Sequence, residues 1–295
     1  MFKGSMVAIV TPMQKGGSVD FVALDKLIDM HLENATDGIV SMGTTGESAT
    51  LSHDEHIDVV EHTVKKVGGQ VPVIAGTGSN STSEAIELTE RAAAIGADAA
   101  LLVTPYYNKP TQEGLIKHFQ TIAAAVNIPQ ILYNVPSRTA VDMLPETVEK
   151  LSMTENIVGI KDATGDLDRL AAMVHLSDGG KFCLLSGDDL TSREFLLAGG
   201  HGVISVTANC TPSLMAKLCK ACRNRDIDLA KTLDDKMIKL HRDLFVEANP
   251  IPVKWCLTKM GLIQDELRLP LTTLSSEFHS TLIAAMVHAE IINGS

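Results

Sequence analysis

A lysine closes a short apolar run near the middle of the chain. In Asn156-Ile-Val-Gly-Ile-Lys161-Asp-Ala-Thr-Gly-Asp166 the β-branched residues Ile157, Val158 and Ile160 predict a strand buried on both faces, and Lys161 stands at its end. In a regular strand Gly159 and Lys161 share one face while Val158 and Ile160 share the other, so a glycine is expected beneath the lysine, leaving room for its long side chain. Burial disfavours the ammonium form, and an amine held among apolar walls keeps a larger free fraction that attacks carbonyls. An isolated lysine at a strand end usually snorkels to solvent, so its companions decide. Gly43-Thr44-Thr45-Gly46-Glu47, Thr104-Pro-Tyr106-Tyr107-Asn108 and Tyr133-Asn-Val-Pro-Ser-Arg138-Thr139 supply hydroxyls, phenols and a guanidinium. With tyrosines able to relay protons and no metal-ligand motif, this set points to Schiff-base chemistry on a keto acid, with neither cofactor nor metal. The glycines beside Thr44 and Thr45 let backbone amides approach a substrate carboxylate, and the hydroxyls add donors.

These groups need a scaffold that gathers them. Short apolar runs recur at Met6 to Val10, Gly38 to Ser41, Val71 to Ala75, Ala99 to Val103, Gln130 to Tyr133, Ile157 to Lys161, Phe182 to Ser186 and Gly202 to Ser205. Their starts lie 20 to 33 residues apart, the length of a strand, a helix and two loops, as repeated βα units require. Ser52-x-x-Glu55 and Ser81-x-x-Glu84 predict capping boxes, Asp20 a cap before Phe21 to Ala35, and Gly96 and Gly199-Gly200 helix ends. Eight units close most naturally into a (β/α)8 TIM barrel. A dinucleotide-binding open sheet would carry a Gly-x-Gly-x-x-Gly turn after its first strand, where this chain has Val10-Thr-Pro12. Residues 1–224 are therefore expected to form the barrel, and 225–295 a small C-terminal helical appendage. The candidate residues of Gly43 to Glu47, Thr104 to Asn108, Tyr133 to Thr139 and Lys161 end or follow strands, on the barrel face that carries active sites.

A formal net charge of -11, with no Lys/Arg-rich run, argues against a nucleic-acid partner. The apolar run at the N-terminus is short and stopped by Pro12, and no run reaches membrane-spanning length, so no membrane association is expected. Five scattered cysteines fit reduced thiols in a cytoplasmic protein, and Cys219-x-x-Cys222, lacking a second pair, reads as two small apolar residues one helical turn apart.

Taken together, Gly43-Thr-Thr-Gly-Glu47, Tyr133-Asn-Val-Pro-Ser-Arg-Thr139, Ile160-Lys-Asp-Ala-Thr-Gly165 and Leu185-Ser-Gly-Asp-Asp189 resemble, in order and spacing, the pyruvate-dependent class I aldolase family, over nearly the whole chain. The resemblance implies that Lys161 forms an imine with pyruvate, that Tyr133 shuttles protons, and that Thr44 and Tyr107 are its relay partners. In this family the Tyr107 phenol reaches into a neighbouring subunit's site, implying a homo-oligomer, usually a homotetramer built as a dimer of dimers. Thr45 matches the ligand of the pyruvate carboxylate, and Gly187 and Ile204 match backbone positions lining the pyruvate side. Arg138 matches the guanidinium that holds the second substrate, L-aspartate 4-semialdehyde, on the diaminopimelate route to lysine. N-acetylneuraminate lyase-like sister enzymes lack that arginine; a non-catalytic metabolite-binding barrel would not need the full set of Lys161, Tyr133, Thr44 and Tyr107. Ser48, Ala49, His53, His56, Asn80, Glu84 and Tyr106 match positions that bind L-lysine as a feedback inhibitor. From the residues alone, His53 and His56 read first as two partly exposed helix histidines one turn apart and second as a metal pair at that spacing.

Overall fold

The computed structural model describes residues 2–293. The order of elements is β1 (Gly4–Ala8), α1 (Phe21–Glu33), β2 (Gly38–Ser41), α2 (His53–Val67), β3 (Val73–Gly76), α3 (Thr82–Ala94), β4 (Ala99–Val103), α4 (Gln112–Ala125), β5 (Gln130–Asn134), α5 (Pro136–Thr139), α6 (Pro145–Ser152), β6 (Ile157–Asp162), α7 (Leu167–Met173), β7 (Cys183–Ser186), α8 (Ser192–Leu197), β8 (Gly202–Ser205), α9 (Pro212–Arg223), α10 (Ile227–Asp243), α11 (Ile251–Lys259) and α12 (His279–His288). All eight strands run parallel and close into a barrel, with Met6 of β1 facing Gly38 of β2 on one side and Ile204 of β8 on the other. The expected (β/α)8 barrel is thus present, its strands within about two residues of the apolar runs, the usual scatter of such boundaries.

Two apolar layers hold it. Met6, Ala8, Val40, Ile74, Leu101, Ile131, Tyr133, Leu185 and Ile204 fill the barrel, while alternate strand residues such as Val7, Ile39 and Leu132 pack outward against the helices. Helix α1 shows how the outer layer is specified: the Asp20 carboxylate caps it by accepting from the Ala23 amide (3.0 Å), and Leu24, Leu27 and Ile28 are buried on one face. Each of these side chains contributes roughly 1.5–3 kcal/mol on full burial.

Two expectations are corrected. Helix α2 has the full capping box between Ser52 and Glu55, but at α3 the Ser81 side chain makes no capping bond. Glu84 instead turns back to accept from Ser79 Oγ (2.7 Å), which withdraws it from the Ser81 amide. The second correction concerns β6, where regular alternation fails. The β5–β6 ladder starts at Gln130↔Ile157, shifts by one residue, and continues as Ile131↔Gly159 and Tyr133↔Lys161. Ile157 and Ile160, three apart, consequently both face outward, and Val158 packs against the interior cluster instead of sharing a face with Ile160. A bulge of this kind re-aims the residues after it. Without it, Tyr133 would pair with Ile160; with it, Tyr133 pairs with Lys161.

Beyond α9, α10 packs on α9 and α12, and α11 reaches back to the mouth of the barrel. All five cysteines are free and buried. Burial pushes the Cys222 thiol up to about 11 and Cys183 up to about 12, and raises Cys219 also, so these thiols act as small apolar core residues.

Candidate active site

Lys161 reaches the end of β6 pointing inward, only 6% exposed, at the floor of a cavity of about 520 Å³ at the C-terminal ends of the strands. Its Nζ lies 4.1 Å from the centroid of the Tyr133 ring on the neighbouring strand. The space for its stem comes from Gly187, just after β7, where a Cβ would stand 2.7 Å from Lys161 Cε. Gly159 answers a different constraint, since a Cβ there would meet Cys183 Sγ at 2.2 Å. Asp162, next in the chain, alternates outward, and its carboxylate accepts from Arg169 Nε (3.0 Å) and Thr164 Oγ1 (2.5 Å). Arg169 also donates to Asp142 (3.2 Å) and to the Met143 carbonyl (2.6 Å). The carboxylate adjacent to the lysine in sequence is therefore committed elsewhere, and the amine faces the phenol and the cavity.

The turn after β2 forms the opposite wall. Thr44–Gly46 is a single 3₁₀ turn, tied down by Thr11 Oγ1 donating to the Gly46 carbonyl (2.7 Å). Glu47 follows in the left-handed region (φ 59°), with both carboxylate oxygens engaged: Oε1 accepts from Lys254 Nζ (2.5 Å) and Oε2 from the Arg268 amide (3.1 Å). Gly76 on β3 lets this turn approach, since a Cβ would lie 2.3 Å from the Met42 carbonyl oxygen. Thr44, Thr45, Tyr133, Arg138, Lys161 and Gly187 all line the one cavity, so a keto acid on Lys161 would meet threonine hydroxyls, a phenol and a guanidinium.

A second cavity, of about 590 Å³, lies behind that wall and shares Thr44, Tyr133, Arg138 and Asn249 with the first. Ser48, Ala49, His53, His56, Glu84 and Tyr106 line it. Asn80 stands beside it, donating from Nδ2 to the Tyr106 carbonyl (3.1 Å). His56 is buried with Nε2 2.7 Å from the Gly76 carbonyl, and burial holds it down to about 4, so it is a neutral N–H donor at pH 7.

The model of the Dihydrodipicolinate synthetase family matches residues 1–289. The chain belongs to this family. It is similar to the 4-hydroxy-tetrahydrodipicolinate synthase of Teredinibacter turnerae, with 57% identity over 292 residues, 99% of this chain and 100% of the relative. The crystal structure of the chloride-inhibited dihydrodipicolinate synthase from Acinetobacter baumannii complexed with pyruvate superposes with a TM-score of 0.96 at 52% identity, covering 99% of this chain and 100% of that one. The Cyanidioschyzon merolae enzyme with lysine bound gives 0.95 at 37% identity, covering 99% of each chain.

Within this dihydrodipicolinate synthetase fold, two expected residues stand apart from the catalytic cavity. Ile204 is buried in the interior cluster below it, with Val206 in the wall instead. Tyr107 is 90% exposed, with a φ of 72°, and lines neither cavity of its own chain. The sequence marked Asp188 only as part of a motif, without a role, and the whole stretch Phe245 to Asn249, the connection from α10 to α11, was missed; all of these residues line the cavity. The missed signal was Asn249-Pro-Ile-Pro252, two prolines breaking an otherwise helical region.

Proposed function

We propose that the protein is a Schiff-base-forming synthase that condenses pyruvate with L-aspartate 4-semialdehyde to 4-hydroxy-tetrahydrodipicolinate. The observation that carries this reading is Lys161 Nζ, held 4.1 Å from the Tyr133 ring on the floor of a cavity with hydroxyls on one side and Arg138 at the rim. The Lys161 amine adds to the keto carbon of pyruvate, and loss of water gives the imine. Loss of a methyl proton gives the enamine, whose terminal carbon forms the new C–C bond to the aldehyde carbon. The amine of the semialdehyde unit then displaces Lys161 from the imine carbon, closing the ring and freeing the enzyme. Tyr133, relayed through Thr44 and the partner subunit's Tyr107, moves the protons of these steps, and Thr45 holds the pyruvate carboxylate beside backbone at Gly187. Arg138 pairs with the carboxylate of the semialdehyde.

The exposed Tyr107 supports an assembly in which it serves a neighbouring site, a homotetramer built as a dimer of dimers. Ser48, Ala49, His53, His56, Asn80, Glu84 and Tyr106 bind L-lysine as a feedback inhibitor. Glu84 offers the carboxylate for its ammonium, and the wall shared by the two cavities supplies a physical path for coupling. The catalytic barrel spans residues 1–224 and the helical region 225–295, although α11 contributes to the mouth. Free buried cysteines fit a cytoplasmic location, and among the described residues no helix is long and apolar enough to cross a membrane.

The test is borohydride reduction in the presence of pyruvate, then peptide mass spectrometry and assays with each second substrate. A reduced pyruvyl adduct on Lys161 and turnover of aspartate semialdehyde are expected. An adduct with turnover of N-acetylmannosamine alone would move the substrate assignment to the sister enzymes, and the absence of an adduct in folded, pyruvate-binding protein would leave a non-catalytic barrel.

A further inference from the structure

The α10–α11 connection holds an amide against the carboxylate-binding wall. Asn249 is 6% exposed and lines the cavity; its Nδ2 donates to Thr45 Oγ1 at 2.9 Å, and its Oδ1 is buried without a partner. Among the described residues Thr45 Oγ1 meets no other hydrogen-bonding group. A hydroxyl has one proton to give and lone pairs to accept with. Once an amide N–H occupies the acceptor side, the hydroxyl proton is left to point elsewhere, and the cavity is the open direction.

We propose that Asn249 is a positioning residue that, by donating to the Thr45 hydroxyl, turns that hydroxyl's proton toward the carboxylate of the keto-acid substrate. The inference rests on the reading of the site as a pyruvate-binding Schiff-base centre. A second contact from the same segment makes the arrangement rigid. Lys254, on the first turns of α11, donates to Glu47 Oε1 (2.5 Å) and to the Thr11 carbonyl (3.1 Å). Positions 249 and 254 thus grip positions 45 and 47, and the turn that presents the hydroxyl cannot move without α11. The sense of the amide is what matters. With the carbonyl end toward Thr45, the hydroxyl proton would be consumed by Asn249 and a lone pair would face the substrate anion.

Asn249→Asp tests this, because it replaces the donor by an acceptor at constant shape, while Asn249→Ala merely frees the hydroxyl to rotate. Both are measured in the intact protein as the pyruvate dependence of borohydride trapping on Lys161 and as steady-state KM and kcat, alone and in a Thr45→Val background. Asn249→Asp is expected to raise KM for pyruvate about ten- to a hundredfold, the worth of one hydrogen bond to a charged group. It should exceed Asn249→Ala, with KM for the second substrate and kcat at saturating pyruvate nearly unchanged, and its effect should vanish when Thr45 is already valine. An Asp variant no worse than the Ala variant overturns the proposal, as does an effect of equal size without the Thr45 hydroxyl, which would mark simple charge repulsion. If Asn249→Asp does not fold, Asn249→Ala carries the test through the same background: its smaller rise in pyruvate KM must disappear with Thr45→Val. Should the wild-type protein trap no pyruvate at all, the Schiff-base reading itself falls, a result distinct from wild-type trapping with variants that trap alike.

Discussion

Gly187 stands against Lys161 with no room for a side chain: a Cβ there would lie 2.7 Å from Lys161 Cε and 2.8 Å from Ala163 Cβ. The glycine belongs to the loop after β7, yet it shapes a side chain on β6. Gly187→Ala must displace the lysine stem, and displacing a reacting group by about an ångström costs on the order of 10²-fold in rate. We expect kcat/KM to fall by about that factor, with far-UV circular dichroism unchanged and pyruvyl trapping on Lys161 slowed in parallel. Unchanged kcat/KM would show that the stem has slack the structure does not suggest.

The barrel was legible because its strands are buried on both faces and so read as unbroken apolar runs, and because runs of that length recurred at βα spacing. Lys161, Tyr133, Thr44, Thr45 and Arg138 were legible because a barrel gathers whatever follows its strands. The bulge at Gln130/Ile131 was not, since alternation in a sequence carries no mark of an unpaired residue; yet it puts Lys161 opposite Tyr133. Lys254 and Asn249 were missed for another reason. Their partners, Glu47 and Thr45, lie more than two hundred positions earlier, and no local pattern reports such a contact.

The Glu47–Lys254 pair has both side chains fully buried. Removing one partner leaves the other charge uncompensated in the core, so Lys254→Met should destabilise the fold by about 3–5 kcal/mol. The double variant Glu47→Gln with Lys254→Met should lose less than the single, because no bare charge remains. Urea midpoints of the two variants check this. A single variant as stable as wild type would mean that the carboxylate finds other donors than Lys254 and the Arg268 amide.

Glu84 lines the second cavity with one carboxylate oxygen held by Ser79 Oγ and is not among the residues that line the Lys161 cavity. Glu84→Ala is expected to raise the L-lysine concentration for half-inhibition at least tenfold, about 1.5 kcal/mol for one lost charged hydrogen bond, and to leave kcat within twofold. Inhibition curves on wild type and variant decide it. Full sensitivity in the variant would place the effector elsewhere.

Acid should destabilise the protein through its buried histidines before its carboxylates respond. Burial holds His31 down to about 3, His56 to about 4 and His118 to about 4, against an ordinary value of 6.5. The unfolded chain takes up protons on these rings below pH 6.5 while the folded one does not, so stability is highest above that pH and falls as pH drops toward the folded values. Each histidine contributes a slope of up to about 1.4 kcal/mol per pH unit, and the three together up to about 4. Glu55, which hydrogen bonds from Arg268 hold down to about 2, keeps its charge in both states above about pH 5, so the interval from pH 7 to 5 isolates the histidines. Urea midpoints should fall across that interval, and His31→Phe should remove about a third of the part that these three rings contribute, burial holding His201 down as well. A fall of the same size in that variant would mean that the His31 ring charges within the fold, against its complete burial.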